Sequence, residues 1–92
     1  MRVLWTPEAH EERRQIWDYI AEENPLAAAR MDQRFADTVA MLSQHPEIGR
    51  PGLIIGTREM IPHESYRIVY EMSGDSIWIL AVVHTARLWP PL

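Results

Sequence analysis

The sequence contains no cysteine, which excludes a disulfide framework, a thiolate zinc site and a thiol nucleophile and is compatible with a reducing compartment. Lysine is absent as well, because all nine basic residues are arginine. The flexible ammonium groups that nucleic-acid binders commonly set against phosphates are therefore missing, and the net charge of -4 disfavours nonspecific DNA or RNA binding. A local arginine patch still suits a phosphate, since whole-chain charge does not describe the field in one cleft. No apolar run approaches the roughly 20 residues of a membrane span, and Arg2 followed by Val3, Leu4 and Trp5 is too short for a signal peptide. The expectation is a soluble, cytoplasmic protein with no membrane partner.

What is present suits one folded domain over residues 1–92, with 47% hydrophobic and 24% charged residues. A chain this short buries roughly 60–65% of its unfolded surface, so a tightly bound partner adds much to its stability. Charge divides unevenly along the chain. Residues 1–48 carry five arginines against nine acidic residues, whereas residues 49–92 balance Arg50, Arg58, Arg67 and Arg87 against Glu59, Glu64, Glu71 and Asp75.

Thr6-Pro7-Glu8 reads as a helix start: a capping hydroxyl, a proline whose missing N–H costs nothing, and a carboxylate beside the positive helix end. Ala9, Ile16, Trp17 and Ile20 recur at helical spacing and predict a helix over about residues 7–23. Trp17 and Tyr19 fall on different faces, so one is expected in the core. Asn24-Pro25 breaks this helix and opens another. Ala28, Met31, Phe35, Val39 and Leu42 carry the second helix to about residue 43, antiparallel to the first across a tight corner.

Two prolines and two glycines between His45 and Gly52 read as a loop. Thr57–Ile61, Tyr66–Met72 and Ile77–Val83 are rich in β-branched and aromatic residues, and Ser73-Gly74-Asp75 supplies turn chemistry, which predicts an antiparallel meander. The last strand is apolar on both faces and so belongs in the interior of the sheet. Arg2–Trp5 is the segment left to flank it. The predicted fold is α+β, a two-layer β-α-α-β-β-β arrangement with the helical hairpin packed on a largely antiparallel four-stranded sheet.

This layout, joined to several phrases, resembles the ParE/RelE superfamily of type II toxin–antitoxin toxins, on its ParE-like side. The phrases are Ile16-Trp17-Asp18-Tyr19-Ile20-Ala21, Asn24-Pro25 before an alanine run, His45-Pro46 ahead of Gly49-Arg50-Pro51-Gly52, and Gly56-Thr57-Arg58-Glu59. Tyr66-Arg67-Ile68-Val69-Tyr70 and the closing Val83-His84-Thr85-Ala86-Arg87-Leu88-Trp89-Pro90 complete them. The resemblance implies a toxin neutralised in a hetero-oligomer by a cognate antitoxin, ParD-like or other, whose carboxy-terminal segment wraps around it. It also implies one of two targets: DNA gyrase for ParE-like members, or mRNA on the ribosome for RelE-like endoribonucleases.

A metal-independent ribonuclease needs a base, a cationic cluster and an acid. Arg58, Arg67 and Arg87 are candidate cations, Glu59 or His84 a candidate base, and His63 a candidate acid. The set is incomplete, because RelE-like nucleases combine lysines and arginines with a terminal tyrosine or histidine, whereas here the terminal aromatic is Trp89, whose indole neither gives nor takes a proton. The preferred reading is a ParE-like gyrase inhibitor that uses Arg58, Arg67, His84, Arg87 and Trp89 on its target. A third reading is a non-toxic antitoxin partner in transcriptional autoregulation. Arg58 with Glu59, and Arg67 with Glu71, also suit plain cross-strand ion pairs, and His84 a hydrogen-bonded strand-end histidine. With no H-x-x-x-H pair, no metal or cofactor is expected. Trp89, beyond the last strand among prolines, is expected to pack on the sheet or a partner. Antitoxin contacts are expected at Trp17, Ile20, Phe35 and Tyr66, where the helical hairpin leaves a groove and an outer strand leaves unpaired backbone groups.

Overall fold

Thr6 and Asn24 set the two helices. In the computed structural model, which describes residues 1–91, Thr6 Oγ1 accepts from the Ala9 amide at 3.1 Å and Asn24 Oδ1 accepts from the Ala27 amide at 3.0 Å. Pro7 and Pro25 follow immediately, so α1 runs Pro7–Ala21 and α2 runs Pro25–Gln44. Arg13 closes the hairpin. Its guanidinium donates to both Asp32 oxygens at 2.6 and 2.9 Å and lies 5.0 Å from the Trp5 ring centroid, so α1 is tied to α2.

The sheet has five strands, β1 (Arg2–Trp5), β2 (Arg50–Pro51), β3 (Thr57–His63), β4 (Tyr66–Ser73) and β5 (Ser76–His84), in the order β1-β5-β4-β3-β2. The amino-terminal strand pairs with β5 in parallel and the other neighbours are antiparallel, as the apolar character of β5 requires. The fifth strand is the departure from the four expected. Arg50 and Pro51 lie opposite Glu59 and Arg58 at the sheet's outer edge, where a proline without an N–H costs no ladder bond.

The helices cover the face that carries Ile68, Tyr70, Ile77, Ile79 and Val82, which join Ala9, Phe35 and Leu42 in one buried cluster. Each large apolar side chain buried there contributes about 1.5–3 kcal/mol. A bulge between Val69 and Tyr70 adds Leu80 to β5 without a partner. It resets the alternation, so Ile79 and then Val82 face the helices despite a three-residue step.

The loop before β2 is pinned from the core. The Tyr70 hydroxyl accepts from the Gly49 amide at 2.9 Å and donates to the Pro46 carbonyl at 2.8 Å.

Candidate functional site

Strand alternation decides where the chemistry-bearing side chains go. Neighbours on β3 point to opposite faces, so Arg58 and Glu59 part company. Arg58 turns to the loop and donates to the Glu47 and Gly49 carbonyls at 3.2 and 2.8 Å. Glu59 lies 5% exposed on the face turned away from the helices, where it accepts from Arg50 at 3.2 Å and from Arg67 at 3.5 Å. The expected ion pairs of Arg58 with Glu59 and Arg67 with Glu71 are thus replaced. One buried carboxylate serves two guanidiniums, because Glu59 is opposite Val69 and hence diagonal to Arg67.

Arg67 also reaches the tail after β5 by donating through Nη2 to the Arg87 carbonyl, while its Nε is buried without a partner. The bond uses the Arg87 main chain, so the Arg87 side chain is left exposed at the same end. Trp89 follows, half-buried.

The histidines stand elsewhere. His63, Tyr66 and His84 form a row across β3, β4 and β5 on the helix-facing side, since His63 and His84 are both register partners of Tyr66. His63 Nδ1 accepts from the Ser65 amide at 3.1 Å and His84 Nδ1 accepts from the Ala86 amide at 3.1 Å, so each ring closes a turn. Of the six residues proposed for a nuclease, Arg67 reaches the Arg87 main chain at the tail, and His84 and Arg87 line one cleft. Glu59 is committed to ion pairs, Arg58 to the loop, and the histidines to the opposite face.

An open cleft of about 780 Å³ lies between α1 and the carboxy-terminal half of β5. Ile16, Tyr19, Ile20, Tyr66, Val82 and Val83 give it apolar walls, with Glu12, His84 and Arg87 as its charged or titratable rim. Among the residues expected to meet an antitoxin, Ile20 and Tyr66 line it and Trp17 does not. Phe35 is a correction: at 1% exposure, with the Tyr66 ring edge-on to it at 5.8 Å, it is core and offers no surface. Trp17 and Tyr19 are 40% and 75% exposed, so neither is core; Ala9 and Ile16 face the sheet instead.

Glu12 went unnoticed in the sequence. Its Oε1 accepts from the Val82 amide at 3.1 Å, and burial holds its carboxyl above the ordinary carboxylate range, against the pull of that N–H and helped by the charge of Glu8. Nothing in the run Glu11-Glu12-Arg13-Arg14 announces a carboxylate bonded to a strand, since the partner lies 70 residues away in sequence.

Residues 3–89 match the family described as ParE toxin of type II toxin-antitoxin system, parDE. The chain belongs to the ParE toxin family. It is 39% identical over 90 residues to the Y4kP protein of Sinorhizobium fredii, covering 97% of this chain and 93% of that one. It is 36% identical over 88 residues to Toxin RelE2 of Caulobacter vibrioides, covering 95% and 98%. Among solved structures, the chromosomal ParDE TA system from P. aeruginosa superposes with a TM-score of 0.82 at 24% identity, covering 91% of this chain and 95% of that one. The YoeB/ParE toxin from Agrobacterium tumefaciens gives 0.68 at 17% identity, over 91% and 98%. The two helices on a mostly antiparallel five-stranded sheet are the ParE/RelE-like toxin fold, and the chain is a toxin of a type II toxin–antitoxin system by family. Among the described residues, no helix is long and apolar enough to cross a membrane.

Proposed function

We propose that this ParE-family toxin acts in the cytoplasm by binding DNA gyrase and trapping its DNA intermediate, with no covalent chemistry of its own, and that a cognate antitoxin neutralises it in a hetero-oligomer. The observation that carries the reading is the separation of the candidate base Glu59 from the two histidines. The buried carboxylate of Glu59 is held by Arg50 and Arg67, and His63 and His84 lie across the sheet from it. General acid–base transfer needs its groups within hydrogen-bond reach of one substrate. A surface that binds needs no such set, and the tail, held through the Arg67 bond to the Arg87 carbonyl, offers the exposed Arg87 side chain and the half-buried Trp89 indole.

Supercoiling and cleavage assays with purified gyrase test this directly. Added toxin is expected to inhibit supercoiling and accumulate cleaved plasmid, and absence of both effects at excess toxin would exclude gyrase as the target. The competing reading, ribosome-dependent mRNA cleavage, draws on His84 and Arg87, which line one cleft and bring a titratable ring and a cation to it. Primer extension on translated mRNA separates the two, because cuts in the ribosomal A site that vanish in a His84→Ala, Arg87→Ala variant would favour the nuclease. Unimpaired growth on induction would favour the non-toxic partner.

A further inference from the structure

β5 outruns its parallel neighbour. The β1 register ends with Trp5 opposite Ile79, after which the Thr6 amide and hydroxyl meet the Ile79 and Leu80 carbonyls and the chain turns into α1. From Val82 onward this flank of β5 has no strand beside it among the described residues. The backbone groups of Val82 face the flank, as the bond from its amide to Glu12 demonstrates, and alternation turns the His84 amide the same way, while the His84 carbonyl is already taken by the Arg87 amide at 2.9 Å. An unpaired flank of this kind is a template for an extended peptide. Here it forms one wall of the 780 Å³ cleft, whose opposite wall is α1.

We propose that Glu12 is a stopper for this open end of the sheet. In the free toxin its carboxylate stands where a neighbouring strand would place a carbonyl. An extended segment of the antitoxin displaces it by taking the Val82 amide and laying apolar side chains between Ile16, Ile20, Tyr66 and Val83. The occupant is an extended peptide because a helix has no spare carbonyls along its side to give the Val82 N–H, whereas a strand offers one every second residue. Its side chains are apolar on the cleft side because the walls are. The inference rests on the toxin–antitoxin pairing of the family and is independent of which target the toxin attacks.

Glu12 thereby weakens antitoxin binding, since part of each binding event is spent breaking the Val82 bond. The test uses the full-length toxin and the antitoxin encoded beside it, with affinity measured by titration calorimetry at one pH and Val82 amide exchange followed by NMR. In free wild-type toxin the amide is protected; in free Glu12→Ala it exchanges faster; in both complexes it is protected by the antitoxin. Glu12→Ala is expected to bind about five- to tenfold tighter, the weight of one hydrogen bond. Glu12→Gln keeps an acceptor and falls between. Weaker or equal binding by Glu12→Ala overturns the proposal, as does a Val82 amide that exchanges freely in the Glu12→Ala complex. Equal gains from the Gln and Ala variants also overturn it, since charge and not the bond would then be responsible. Should Glu12→Ala not fold, the Gln variant decides, and no gain in affinity for it rejects displacement.

Discussion

The Tyr70 hydroxyl and the Gly49 amide are 2.9 Å apart, and a Cβ built on Gly49 would approach that hydroxyl to 2.6 Å. The loop and the core therefore determine each other: the glycine makes room for the phenol, and the phenol satisfies the glycine. Tyr70→Phe is expected to cost about 1–3 kcal/mol, because the buried Gly49 N–H loses its acceptor. Urea denaturation should show this as a lower midpoint with an unchanged slope.

Glu59→Ala is expected to destabilise by about 3 kcal/mol, since it leaves the Arg67 guanidinium buried without its counter-charge. Arg67 is 11% exposed at the side chain and Arg50 is 58% exposed. Arg50→Ala should therefore cost less than about 1 kcal/mol. Thermal melts of the two variants compare them, and equal losses would contradict the burial argument.

Arg87→Ala should leave the fold intact, because Arg67 holds the Arg87 carbonyl and not its side chain. If the tail meets the target, this variant weakens the contact by about 2 kcal/mol, roughly thirtyfold. Growth on induction, at matched soluble abundance, is the measurement. Exposed Arg30 on α2 is the reference position. Arg13 is unsuitable as a reference because it braces α1 against Asp32 and Trp5.

Glu12 also leaves a signature in pH. Its folded-state pKa is raised by burial, so the folded protein holds the proton more tightly than the unfolded chain does. Stability from this group therefore falls as pH rises from the unfolded value through the higher folded one. Facing it are Glu8 and Tyr19 from α1, Tyr66 from β4, His84 at the end of β5 and Arg87 from the tail. Glu12→Gln lacks the effect, so its stability relative to the wild type should improve between about pH 4 and neutrality. Urea midpoints of both proteins at the two pH values give the difference.

Thr6-Pro7 and Asn24-Pro25 made both helices legible, because a cap and a proline are local instructions needing no tertiary context. The all-apolar β5 likewise announced its interior place and its amino-terminal neighbour. What escaped was register. Arg58 and Glu59 were grouped by adjacency, yet strand alternation separates them, and the bulges near Leu80 and between Met60 and His63 shift which residues share a face. A bulge costs one residue and leaves almost no trace in composition. The burial of Phe35 and the exposure of both Trp17 and Tyr19 depart from expectation for a related reason: a helix's apolar stripe gives its direction, while the depth of each side chain depends on what the sheet presents beneath it.

The pairing of Arg2–Trp5 with residues 76–79 has a bearing on synthesis. The first strand emerges from the ribosome with no partner and cannot dock until β5 has been made. At about 5–20 residues per second the intervening roughly 70 residues take about 4–14 s. Throughout that interval the nascent chain has a helical hairpin but no finished sheet, and so no completed cleft and no anchored tail. Translation therefore builds in a delay between the first strand and the first moment at which the cleft and the anchored tail exist, and a partner already present meets a surface that forms only once the chain is nearly finished.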